Sequence, residues 1–128
     1  MQRKILVVDD SALARRFVRQ CAEIAMGSEC SFLEASNGKD ALATLASNPD
    51  IWLVLTDLNM PLMDGFEFLK QVKSSPYAKT HVLVVSSIQN EARSLELKQQ
   101  GAIAVLPKPI SPAKIKEIIA PLNKGGIL

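Results

Sequence analysis

Residues 51–61 read IWLVLTDLNMP: an almost wholly apolar run from Ile51 to Thr56, an aspartate at position 57, then a loop closed by Pro61. A strand with one wet face alternates apolar and polar side chains. This run does not, so both of its faces are expected to be buried, as in the centre of a parallel sheet covered by helices on each side. Open α/β sheets bind ligands just beyond the carboxyl ends of their strands, and that is where Asp57 falls.

The same unit recurs on either side of it. Lys4 to Val8 predicts a strand that runs into Asp9 and Asp10, followed by a helix with Ser11 as N-cap and Leu13, Phe17, Val18, Cys21 and Ile24 on its inward face. A weaker strand, Ser31 to Ala35, leads through Asn37 and Gly38 to a helix carrying Ala41, Leu42 and Leu45. After the central strand and its loop comes a helix with Phe66, Leu69 and Val72. Val82 to Ser86 is the fourth strand, and a polar helix from about Asn90 to Gln100 is closed by Gly101. Ile103 to Leu106 is the fifth strand, stopped by Pro107. Ser111 and Pro112 then open a last helix with Ile115, Ile118, Ile119 and Leu122 inward. Five strand–helix units joined by right-handed crossovers make a three-layer α/β/α sandwich.

Length and composition agree with one domain spanning residues 1–128: 48% of the chain is hydrophobic and 22% charged. No apolar run approaches the roughly 20 residues of a membrane span, and the opening MQRKILVVDD is too short and too acidic for a signal peptide, so a cytoplasmic protein with no membrane partner is expected. The net charge of +2 and the dispersed basic residues argue against direct nucleic-acid binding. Arg15, Arg16 and Arg19 form the densest basic group and read as a solvated helix face, with contact to an acidic partner as the alternative. Cys21 and Cys30 lack metal-ligand or CxxC spacing and read as reduced packing thiols. His81 reads as a surface residue at a strand start. NKGGIL, at positions 123–128, resembles the start of a linker.

The strand ends carry the chemistry. Asp9, Asp10, Asp57 and Lys108, the last in LPKPI, each follow an apolar run and are therefore gathered at one edge of the sheet. Like charges 4 Å apart repel by about 4 kcal/mol at an effective dielectric of 20, so three clustered carboxylates call for a cation. A small set of oxygen ligands that leaves room for water suits Mg²⁺. Mg²⁺ and Lys108 together balance the three acids, and a balanced site can accept a phosphoryl group. Asp57 is then the candidate nucleophile, forming an aspartyl phosphate.

Taken in order, VVDDS, TDLNMPLMDG, the Ser86–Ser87 pair after VLVV, and LPKPI resemble the motifs of receiver domains of two-component response regulators, closest in size to the single-domain CheY-like members. The resemblance covers essentially the whole chain. It implies a flavodoxin-like (βα)5 fold with strand order 2-1-3-4-5. It implies further that Asp10 and Asp57 bind Mg²⁺ directly, Asp9 directly or through water, and the backbone carbonyl of Asn59 with them. Asp57 is the implied phosphoacceptor, Ser86 the switch hydroxyl and Lys108 the lysine that pairs with the phosphoryl group. Lys108–Pro109 is a candidate cis peptide. Met60, Pro61 and Gly65 shape the loop after the nucleophile. Ile88 and Asn59 lie where members vary the side chains beside the phosphoryl group, and an apolar Ile88 implies slow hydrolysis. The implied partners are a sensor histidine kinase and an output partner or domain met through the fourth helix, fifth strand and fifth helix, about Asn90 to Leu122, with Lys114 and Lys116 exposed.

Val105 departs from the pattern, because many members carry Tyr or Phe three residues before the lysine. A switch without that aromatic has to act through Ser86, the loop after it and the fourth helix. Two other functions share parts of the site. A haloacid-dehalogenase-like phosphatase needs a second Asp two residues after the nucleophile, where this chain has Asn59. A flavodoxin-like FMN carrier needs a Ser/Thr/Gly-rich phosphate loop after the first strand, where this chain has acids.

Overall fold

The computed structural model describes residues 3–27, 29–87 and 90–127. Elements alternate throughout: β1 (Arg3–Val8), α1 (Ala12–Met26), β2 (Cys30–Ala35), α2 (Gly38–Ser47), β3 (Ile51–Asp57), α3 (Gly65–Lys73), β4 (His81–Ser86), α4 (Glu91–Gln99), β5 (Ala104–Pro107) and α5 (Pro112–Ile127). The five strands form one parallel sheet in the order β2-β1-β3-β4-β5. β3 lies in its middle, as its unbroken apolar run requires.

Because side chains alternate along a strand, the run ILVV in β1 divides between two cores. Leu6 and Val8 join Val54 and Val84 beneath Ala41 and Leu45 of α2, Phe68, Leu69 and Val72 of α3 and Leu97 of α4. Ile5 and Val7 join Leu53, Leu55, Leu83 and Val85 beneath Val18, Cys21 and Ala22 of α1 and Ile115 and Ile119 of α5. Three helices on one face and two on the other make the three layers.

Polar side chains start the helices where the chain leaves a strand. Ser11, Asn37, Asp64 and Asn90 each accept a hydrogen bond from the backbone N–H three residues on. Gly101 follows α4 at φ 113°, a left-handed conformation that suits glycine and turns the chain into β5.

The inward face expected of α1 is corrected by the structure. Val18 and Cys21 are buried, but Leu13 (78% exposed), Ile24 (71%) and Phe17 (46%) face outward, and Ala22 takes the innermost place. The helix rolls so that its small residues approach β1 and α5. The last helix runs through Ile127, so the backbone of Gly125 and Gly126 is helical where the sequence reads as a linker start. His81 is half-buried at the head of β4, with its ring edge-on to Trp52 at 5.7 Å between centroids.

Candidate functional site

Three strands deliver the acids and the lysine to one edge of the sheet. β1 ends at Val8 and passes directly into Asp9, whose N–H still pairs with the Ala35 carbonyl of β2 at 3.2 Å. Asp9 Oδ1 accepts from the Ser11 N–H at 2.9 Å, which folds the strand end into the turn that starts α1. Asp9 is buried and Asp10 is exposed at the rim. Asp57 is the last residue of β3, and its Oδ1 accepts from the Leu58 N–H at 2.9 Å. One carboxylate oxygen from each of Asp9, Asp10 and Asp57 lies within 4.8 Å of the other two.

Lys108 reaches this cluster from beyond β5. Its Nζ stands 3.2 Å from Asp57 Oδ1 and 3.4 Å from Asp9 Oδ2. Its N–H donates to the Ser86 carbonyl at 2.9 Å, and the Lys108–Pro109 peptide is cis as the sequence implied. Ser86 is buried at the carboxyl end of β4, one register step beyond the Val85 that pairs with Asp57. Asn59 is exposed two residues past Asp57. Leu62, in the same loop, takes φ 68°. Ile88, which the sequence reading connects with hydrolysis, lies outside the described residues.

Burial pushes the Asp57 carboxyl above its ordinary range; Lys108 pulls it back down, and Asp9 pushes it up again. For Lys108 burial pulls downward, but Asp57 and Asp9 outweigh it and hold the ammonium above the usual lysine range. Three carboxylates against one ammonium leave a formal charge of −2 (−3 + 1) in a pocket partly closed to water. Oxygen donors only, with an excess of two negative charges, fit a hard divalent cation such as Mg²⁺.

The family model for the response regulator receiver domain matches residues 5–120. The chain belongs to the response regulator receiver family. Among its relatives is the two-component response regulator ORR11 of Oryza sativa subsp. indica, 34% identical over 117 residues, covering 91% of this chain and 78% of that one. A chemotaxis protein CheY homolog of Campylobacter jejuni is 32% identical over 115 residues, covering 89% of this chain and 87% of its own. Among solved structures, the chemotaxis response regulator CheY4 of Vibrio cholerae superposes with a TM-score of 0.78 at 30% identity, covering 97% of this receiver and 98% of that chain.

The sequence places the acids, the lysine and Ser86 at this edge but assigns Arg15 no part in the site. The structure takes Arg15 out of the solvated basic face: its Nη1 donates to the Asp9 carbonyl at 2.7 Å and its Nε to Glu34 at 2.8 Å. The available signal was the four-residue spacing of Arg15 and Arg19, which puts both on one helix face, together with the acid Glu34 in the neighbouring strand. No helix among the described residues of this receiver is long and apolar enough to cross a membrane.

Proposed function

We propose that this receiver is a Mg²⁺-dependent phosphoacceptor switch of a two-component system, with Asp57 as the residue that takes the phosphoryl group. The observation that carries this reading is the convergence of Asp57 with Asp9, Asp10 and Lys108, with Lys108 Nζ at 3.2 Å and 3.4 Å from Asp57 and Asp9.

A carboxylate oxygen of Asp57 attacks the phosphorus of a histidine kinase phosphohistidine, or of a small acyl phosphate. The new P–O bond forms as the bond to the donor breaks, and the donor leaves with the electron pair. Asp10 and Asp57 would hold Mg²⁺ directly, Asp9 directly or through water, and the Asn59 carbonyl would complete the protein ligands. The metal, when bound, neutralises charge on the phosphoryl oxygens. Lys108 trades its contact with the free Asp57 carboxylate for one with a phosphoryl oxygen, and Ser86 donates its hydroxyl to another.

The output is binding to a partner or output domain, not turnover, in a cytoplasmic protein that touches neither nucleic acid nor membrane directly. The face formed by α4, β5 and α5 suits this role. Lys114 and Lys116 are exposed on it, and Asn90, Leu95, Lys98, Val105 and Pro107 line a groove of about 430 Å³ between α4 and β5. Half-buried Val105 leaves that groove unfilled by an aromatic ring, so the response to phosphorylation passes through Ser86 and the start of α4.

Intact-mass measurement after acetyl phosphate tests the reading. One phosphoryl adduct is expected with Mg²⁺, none with EDTA, and none on Asp57→Asn. An adduct that survives Asp57→Asn, or no adduct on the parent chain where a reference receiver is phosphorylated, overturns it.

A further inference from the structure

Two consecutive residues of an extended strand send their side chains to opposite sides, yet Asp9 and Asp10 both offer an oxygen to one cluster. The chain must bend between them, and the bend must be held. The Asp9 carbonyl belongs to the rigid peptide plane that joins Asp9 to Asp10, so a group that grips this carbonyl sets the direction in which Asp10 departs.

Arg15 grips it. Nη1 of Arg15 donates to the Asp9 carbonyl at 2.7 Å, while Nε of the same guanidinium donates to Glu34 Oε1 at 2.8 Å. The other Glu34 oxygen accepts from Arg19 Nη1 at 2.9 Å, and the Arg19 guanidinium lies over the Phe32 ring at 5.3 Å. The planar fork of Arg15 is thus clamped at both prongs, which an ammonium with a single nitrogen cannot reproduce. Glu34 does a second job. Two arginines hold its carboxyl below the usual carboxylate range, so it remains ionised and offsets the charge that Arg15 brings near a cation site.

We propose that Arg15, backed by Glu34, is a positioning residue for the metal site: it orients the Asp9–Asp10 peptide so that both carboxylates converge with Asp57. The inference rests on the receiver reading of that site. Arg15 touches neither metal nor phosphoryl group and acts through the Asp9 main chain.

The test titrates MgCl2 alone into the metal-free full chain, following the Asp10 and Leu58 amide resonances, with a urea unfolding curve for each variant. Outer-shell partners of metal ligands typically contribute 10- to 100-fold in affinity, so Arg15→Ala should bind Mg²⁺ about 10-fold more weakly. Arg15→Lys keeps the charge and the aliphatic stem but not the fork, and should fail to restore the parent affinity; it carries the test if the alanine variant does not fold. Glu34→Gln should weaken Mg²⁺ binding in the same direction, and Arg15→Ala with Glu34→Gln should fall short of the sum of the single changes, because the two residues form one device. Folded Arg15 variants that bind Mg²⁺ within about twofold of the parent, whatever their urea midpoints, overturn this inference alone. A parent chain that neither binds Mg²⁺ nor is phosphorylated on Asp57 overturns the receiver-switch reading beneath it.

Discussion

Gly65 lies against the main chain of Asp57: a Cβ built on it would stand 2.8 Å from the Leu58 Cα and closer still to the Asp57 carbonyl oxygen. The Gly65 N–H also donates to the Leu58 carbonyl at 2.7 Å, so the start of α3 is fastened to the residue after Asp57. A side chain at position 65 has only backbone to displace. Gly65→Ala should therefore cost about 1–3 kcal/mol of stability, the usual range for overpacking, in a urea titration. It should also slow acetyl phosphate labelling of Asp57, whereas a variant that labels at the parent rate would show that the site does not need this close approach.

The excess negative charge at the strand ends implies that metal and fold are coupled. Mg²⁺ at ten times its dissociation constant should add about 1.4 kcal/mol of stability and raise Tm by roughly 4 °C, and EDTA should remove the gain. Without metal, Asp57→Asn gives up the attraction to Lys108 but relieves the burial of a carboxylate and its repulsion from Asp9, which together outweigh it, so this variant should be more stable than the parent by about 1 kcal/mol. It should also lose most of the Mg²⁺ response. Differential scanning calorimetry with and without Mg²⁺ checks both; a Tm for Asp57→Asn below that of the metal-free parent would contradict the charge argument.

How much of this could be read beforehand depends on whether the information is local. The apolar run 51–56 dictates a central strand whatever surrounds it, and polar caps such as Ser11 and Asn90 mark helix starts on their own. The site was legible for the same reason: a parallel sheet brings every strand's carboxyl end to one edge, so Asp9, Asp57 and Lys108 had to meet. What depends on how one helix rolls over the sheet was not legible. Leu13, Phe17 and Ile24 share an apolar period with Val18 and Cys21, and only the packing of α1 against α5 decides that Ala22 goes inward and Leu13 outward. The place of Arg15 at the site was not legible either, because its partners lie elsewhere in the chain: a carbonyl six residues back, which every residue has, and an acid on β2.

Leu62 combines two unfavourable features in the loop beyond Asp57. Its φ of 68° puts a branched side chain in the left-handed region, and that side chain is 78% exposed. For a residue other than glycine, asparagine or aspartate the conformation costs roughly 1–2 kcal/mol. Leu62→Asn should therefore stabilise the fold by about 1 kcal/mol in chemical denaturation. A neutral or destabilising result would mean that the leucine side chain makes a compensating contact in solution.

His81 contributes to the response of stability to mild acid. Burial pulls its imidazole below the ordinary value, and the charges of Lys73 and Arg3 add to that effect. Lys73 is itself anchored nearby, its Nζ donating to the carbonyls of Ala78 and Thr80 at 3.0 and 2.9 Å. The unfolded chain therefore takes up a proton on this histidine at higher pH than the folded one does. Wherever the unfolded state binds more protons, stability rises with pH. The contribution is full above the unfolded value of about 6.5 and is lost as pH falls from there toward the lower folded value. Urea midpoints of the parent chain should thus decline between about pH 7 and pH 5 relative to those of His81→Gln, which cannot titrate. The sole tryptophan offers an independent readout, because Trp52 meets the His81 ring edge-on at 5.7 Å and lies beneath Arg3 at 4.0 Å. Its fluorescence in the folded protein should change with a midpoint below 6.5, and a midpoint at or above the free-histidine value would show that His81 is not held neutral by its surroundings.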